Sequence, residues 1–248
     1  MPSLDPAFLR KKFLLRQKHF AISEKYVVWD EQGKELLFVQ RPAHLIRGCL
    51  AALAGIGAAA VVGAGLGFIS SLLPQSVIGV GIIVTVLTAI AVLMVVAISL
   101  SPKRHVHFYR DNTMQELLLQ VDQDQKFAPI IATYTVKDPQ GGVLAKLKKN
   151  YLYNIIRKRW YILGPDDQVL SLVEEDSLIM ALVRRFIVAW KTDFIFQKGM
   201  TEQVIARFIR KWTLLDRYVL DLTEDQQNYL DPRVALAMGV MLDTGERR

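Results

Sequence analysis

Lys146, Lys148, Lys149, Arg157, Lys158 and Arg159 lie close together in the chain. An ammonium group is a compact point charge and a guanidinium a planar fork of donors, so residues of these types hold phosphate oxygens. A second basic group, Arg184, Arg185, Lys191, Lys198, Arg207, Arg210 and Lys211, precedes an acidic stretch with Asp216, Asp221, Glu224, Asp225 and Asp231. A domain held beside an anionic leaflet gains about 1 kcal/mol for each Lys or Arg brought within a Debye length of it. Binding of anionic headgroups is the chemistry these residues offer, with ordinary solvated strand faces as the competing reading. No nucleic-acid motif accompanies the charge, and nucleic acid is not an expected partner.

Covalent chemistry has little support. The chain lacks Gly-x-Ser-x-Gly, Gly-x-x-x-x-Gly-Lys and His-Glu-x-x-His, and Cys49 is its single cysteine. One cysteine supplies neither a disulfide framework nor a thiolate metal site, which fits a reducing compartment. At the head of an apolar stretch, Cys49 reads as a small hydrophobe rather than an acylation site. His105 and His107 share one strand face at a spacing that can bind metal, but no further ligand stands near them. Asp122 with Asp124, and Asp166 with Asp167, lack the ligand set of a calcium loop and read as turns. The expectation is a non-enzymatic protein with no metal and no cofactor.

The element that would hold the basic residues at a membrane is plain. Between Arg47 and Lys103 there is no charged side chain. About 20 apolar residues cross a bilayer, so this stretch holds two crossings. Leu72-Leu73-Pro74-Gln75-Ser76 breaks it, because Pro removes a backbone donor. The prediction is a transmembrane hairpin over residues 45–102, with spans of about 45–73 and 77–100. Arg41, His44, Arg47, Lys103, Arg104 and His105 flank it and the turn is uncharged, which places both termini in the cytoplasm. A bacterial inner membrane is preferred because no organellar transit peptide precedes the hairpin. Ala51, Gly55, Ala59, Gly63 and Gly67 recur every four residues on the first span, and small residues so spaced let helix backbones approach closely. Their expected use is to seat the second span on the first; self-association or docking on another membrane protein is the alternative.

The remaining residues carry every charge except that of Arg47 and form one domain split by the hairpin, residues 1–44 and 103–248. Tyr26 to Leu36 and Tyr134 to Leu144 match at Tyr, Val, Asp, Gln, Gly and Leu, an internal repeat that reads as one β-hairpin built twice. Further strands are predicted at Val106 to Tyr109, Glu116 to Val121, Arg159 to Leu163, Gln168 to Val173, Phe194 to Gln197 and Tyr218 to Leu222. Val204 to Phe208 fits a strand or an amphipathic helix equally. Asp231-Pro232 starts a helix over about 231–242 that is apolar on every side from Val234 to Leu242, yet too short to span a bilayer. Such a helix must be surrounded by protein, and an antiparallel sheet surrounds a helix only by closing around it. The predicted fold is therefore mainly β, an antiparallel closed β-barrel around a C-terminal hydrophobic helix, with the two-helix membrane hairpin inserted.

In their order, the stretches Tyr26 to Arg41, Tyr134 to Leu163 and Asp231 to Asp243 resemble the Tubby C-terminal-like superfamily, in its branch of phospholipid scramblases and LURP-one-related proteins. The family's palmitoylated cysteine cluster and hydrophobic C-terminal segment have no counterpart here. The resemblance implies a membrane-anchored module that binds anionic phospholipid at the cytoplasmic leaflet through Lys146, Lys148, Lys149, Arg157, Lys158 and Arg159, and that aids lipid movement. The alternative is a structural or accessory subunit that docks on partner membrane proteins or on its own copies.

Overall fold

A computed structural model of the chain describes residues 4–18, 24–41, 45–103, 105–126, 128, 130–151, 157–176, 193–211 and 217–246. After a 3-10 turn at Pro6–Phe8 come β1 (Lys12–Lys18), β2 (Glu24–Trp29) and β3 (Glu35–Arg41). Two helices follow, α1 (Leu45–Ser71) and α2 (Ile78–Leu100). The β series resumes with β4 (His105–Tyr109), β5 (Leu117–Gln123), β6 (Ile131–Lys137), β7 (Val143–Asn150), β8 (Arg159–Leu163) and β9 (Val169–Glu175). It ends with β10 (Phe194–Lys198), β11 (Val204–Lys211) and β12 (Arg217–Asp221), after which α3 (Pro232–Glu246) closes the chain.

Every strand pairs antiparallel with its sequence neighbours, and β1 pairs with β12, so the sheet closes into a barrel. Closure removes the unpaired edges that an open antiparallel sheet must otherwise protect. One face of the strands is apolar and buried: Phe13 and Leu15 of β1, Ala145 and Leu147 of β7, Trp160 and Ile162 of β8. The alternate residues, such as Arg16, Lys146 and Tyr161, stand on the outer face and remain partly exposed.

Five turns at one end of the barrel each contain a residue with positive φ: Gly33, Met114, Gly141, Asp167 and Gly199. A register shift precedes each of them, at Val28/Trp29, Phe108/Tyr109, Val136/Lys137, Ile162/Leu163 and Phe196/Gln197. In the two repeated hairpins the agreement reaches individual bonds. Asp30 Oδ1 accepts from the amides of Gln32 and Lys34 at 3.0 and 2.8 Å, and Asp138 Oδ1 from those of Gln140 and Gly142 at 3.0 and 2.6 Å. Gly33 and Gly141 take φ of +80° and +86°, the left-handed region that a Cβ disfavours. The β3–β4 connection, at the other end, is the apolar insertion. Phe38 pairs with Tyr109 and Gln40 with His107, so β3 and β4 are neighbours in the sheet although the two helices separate them in sequence.

The insertion, His44–Lys103, is a compact unit of its own. Its helices run Leu45–Ser71 and Ile78–Leu100, slightly shorter than the spans predicted, and both are long and apolar enough to cross a membrane. Val204 to Phe208 is strand, part of β11. β1 is an element the sequence did not announce. α3 extends to Glu246 beyond the predicted limit. Its start is capped as expected, with Asp231 Oδ1 accepting from the Arg233 amide at 2.9 Å. From Val234 to Asp243 every α3 residue is buried, and the ring of Phe208 lies 3.1 Å from where a Cβ on Gly239 would stand.

Candidate lipid-binding face

The alternation of β7 separates residues that look equivalent in the sequence. Lys146 and Lys148 stand on the outer face, whereas Lys149 points the other way and is 4% exposed. Lys149 Nζ lies 5.0 Å from the ring centroid of Trp160, its register partner, and 5.2 Å from that of Tyr151. Its place is inside the wall, so it does not share the outer surface with Lys148. Lys146 Nζ is 2.7 Å from Asp167 Oδ1, in the β8–β9 turn at the far end from the insertion.

Arg157 and Arg159 are engaged as well. Arg157 Nη1 reaches Glu174 Oε1 and Arg159 Nε reaches Glu174 Oε2, each at 2.9 Å, and the Glu174 side chain is 6% exposed. Arg157 also donates to the backbone oxygen of Glu175, and the Lys158 amide donates to Glu175 Oε2 at 3.2 Å. A carboxylate that buried requires such partners, because an unpaired charge out of water is costly. The six basic residues thus divide by role. Arg157 and Arg159 hold Glu174, Lys149 packs on aromatic rings, Lys146 faces Asp167, and Lys148 and Lys158 lie toward the insertion end. In the second basic group, Arg184, Arg185 and Lys191 lie outside the described residues. Arg207 binds Glu224 at 2.8 Å, and this hydrogen bond, with the charges of Glu224, Asp176 and Asp221, outweighs burial and sets its pKa above the ordinary value.

The outer face of β4, β5 and β6 holds a polar cluster centred on Asp122. Its Oδ1 lies 2.6 Å from His105 Nδ1 and accepts from Gln120 Nε2 at 2.6 Å, while Oδ2 is 2.9 Å from Lys137 Nζ. Burial alone would raise the carboxyl pKa; the hydrogen bonds from Gln120, Lys137 and His105 outweigh it and hold Asp122 at about 2. His107 stacks on His105 at 6.2 Å. Its pKa is pushed down, first by burial and then by the neighbouring His105. Among the described residues no group of three or more His, Cys, Asp and Glu side chains is placed to hold a metal.

In the insertion, the small-residue stripe is graded. Ala51 and Gly55 are buried, and Ala59, Gly63 and Gly67 are half-buried. A Cβ on Gly55 would stand 2.8 Å from the Leu93 carbonyl oxygen, and one on Gly63 would stand 3.6 Å from Ala89 Cβ, while Gly67 has open space around it. Backbone contact between α1 and α2 is therefore tightest at Gly55. Ser70 Oγ and Thr85 Oγ1 add a hydrogen bond of 3.1 Å between the helices, which the sequence reading did not anticipate.

No family model, curated protein or solved structure matches this chain. The class is set by the fold alone: a closed twelve-stranded antiparallel barrel with two apolar helices inserted between adjacent strands.

Proposed function

We propose that this chain is a membrane-anchored, non-enzymatic module of the scramblase or LURP-one type, Tubby-like in having α3 run inside its barrel, and that it binds anionic phospholipid at the cytoplasmic leaflet. The observation carrying this reading is the sorting of charge between the two ends of the barrel. Lys25, Arg41, Lys126, Lys148 and Lys158 lie at or near the strand ends that lead into the insertion. The turns at the opposite end are rich in carboxylates, among them Asp30, Glu31, Asp111, Asp138, Asp166 and Asp167. Residues 42–44 and 101–104 alone join β3 and β4 to the apolar helices, and four residues reach at most ~14 Å. A basic rim on so short a tether meets the electrostatic requirement for anionic headgroups. With both helices crossing the bilayer, the barrel and both termini lie on the cytoplasmic side.

The test is flotation with vesicles. A form with residues 45–102 replaced by a short turn between the paired strands β3 and β4 should float with phosphatidylglycerol vesicles, stay behind with phosphatidylcholine vesicles, and release in high salt. Lys148→Glu combined with Lys158→Glu should weaken flotation at least about tenfold, whereas Lys146→Glu should leave it unchanged. Undiminished flotation of the double variant overturns the reading. A stoichiometric membrane protein that co-purifies in mild detergent would support an accessory subunit instead.

A further inference from the structure

Cations on the outer face of the barrel are generally matched by carboxylates: Lys12 by Glu31 and Asp221, Lys137 by Asp122, Lys146 by Asp167, Arg207 by Glu224. Arg16 departs from this pattern. It is half-buried on β1, and among the described residues it has no ion pair and no hydrogen-bond partner for its guanidinium. It also lines a groove of about 370 Å³ together with Leu14, Trp29, Gly33 and Val219.

The registers explain the groove. Leu14 stands opposite Trp29 of β2 on one side and Val219 of β12 on the other, so three apolar side chains meet where the barrel closes. The register shift between Val28 and Trp29 aims the indole outward beside Leu14, and Gly33 in the following turn leaves the end of the groove open. Arg16 is two residues further along β1, about 7 Å at the rise of a strand. The surface thus combines an apolar trough with an unpaired planar cation at one end.

We propose that this groove binds a single-chain fatty acid, with its alkyl chain against Leu14, Trp29 and Val219 and its carboxylate on the guanidinium of Arg16. Charge complementarity selects an anionic head, since a half-buried guanidinium without a counter-ion gains most from a carboxylate gripped through two parallel hydrogen bonds. Size selects one chain, since the volume lies near the lower limit of small-molecule sites. The site is separate from the basic rim, and neither depends on the other.

The experiment uses the full chain in phosphatidylcholine nanodiscs, with a diazirine-bearing dodecanoic acid, the matching alcohol and a diazirine-bearing phosphatidylglycerol as probes. After irradiation, the acid should label peptides containing Leu14, Trp29 and Val219. The alcohol should label them at least fivefold less. Arg16→Gln should cut acid labelling of these peptides about tenfold and Arg16→Lys less, while labelling of α1 and α2 from the bilayer stays constant as the internal standard. Val219→Trp, which fills the trough, should abolish groove labelling without touching Arg16. Equal labelling by acid and alcohol, or labelling indifferent to both Arg16 variants, overturns the proposal. Groove labelling by the diacyl probe alone overturns the assignment to a single chain.

Discussion

Tyr26 Oη donates a 2.5 Å hydrogen bond to Asp243 Oδ2, and Tyr218 Oη donates to Oδ1 of the same carboxylate. Strand β2 precedes the apolar insertion and α3 ends the described chain, so this buried carboxylate ties the first part of the sequence to the last. Asp243→Ala takes this acceptor away from two buried hydroxyls, at about 1–3 kcal/mol each. The expected loss is about 3 kcal/mol, against about 1 kcal/mol for Tyr26→Phe, read from denaturant unfolding of the full chain in detergent.

The Glu174 and Asp167 pairs differ in burial and should differ in consequence. Glu174→Ala removes the carboxylate shared by two arginines, one of them with only 15% of its side chain exposed, and should destabilise by about 3 kcal/mol. Asp167 is 65% exposed, so Asp167→Ala should cost under about 1 kcal/mol. Thermal midpoints of the two variants, measured side by side, check the ranking.

Helix contact in the insertion should depend on one glycine far more than on the others of its stripe. Gly55→Leu drives a side chain into the Leu93 carbonyl, whereas Gly67→Ala meets open space. With Cys49→Ala as background, a Ser70→Cys, Thr85→Cys pair should cross-link readily under oxidation. Gly55→Leu should slow that cross-linking severalfold, and Gly67→Ala should not alter it.

Acid should act on the β4–β6 cluster in two windows. Asp122 titrates lower in the folded chain than in the unfolded one, so its contribution is complete above about pH 4 and is lost as pH falls toward 2. His107 is also depressed, but it is a base. The unfolded chain takes up its proton near pH 6.5 while the folded one resists, so stability falls as pH drops through that value and levels off once the folded imidazole is protonated. Asp122→Asn should flatten the dependence of the thermal midpoint on pH below 4, and His107→Gln should flatten it just below 6.5.

The hairpins around Asp30 and Asp138 were legible because a side-chain acceptor and a left-handed glycine are both written in residue types. The β4–β5 and β8–β9 turns use the same backbone device with Met114 and Asp167 at the left-handed position, and residue identity hides the kinship. Barrel closure was foreseen from α3, since an all-apolar short helix demands a surround. Closure through β1 was not foreseen, because Lys12 and Lys18 frame only a short apolar core. The basic site was the least legible part. Adjacent lysines such as Lys148 and Lys149 look alike in sequence but fall on opposite faces of the sheet, and the carboxylate that engages Arg157 and Arg159 comes from the next strand.

The pairing of β3 with β4 across the insertion has a consequence for biogenesis. A ribosome makes β1, β2 and β3 before the insertion, and β4, the neighbour that completes β3, exists only after the two apolar helices have been synthesised. The partner of β1 is β12, made after all the other strands, so the sheet cannot seal until every strand has been synthesised. The early strands must wait with open edges, a state prone to aggregation.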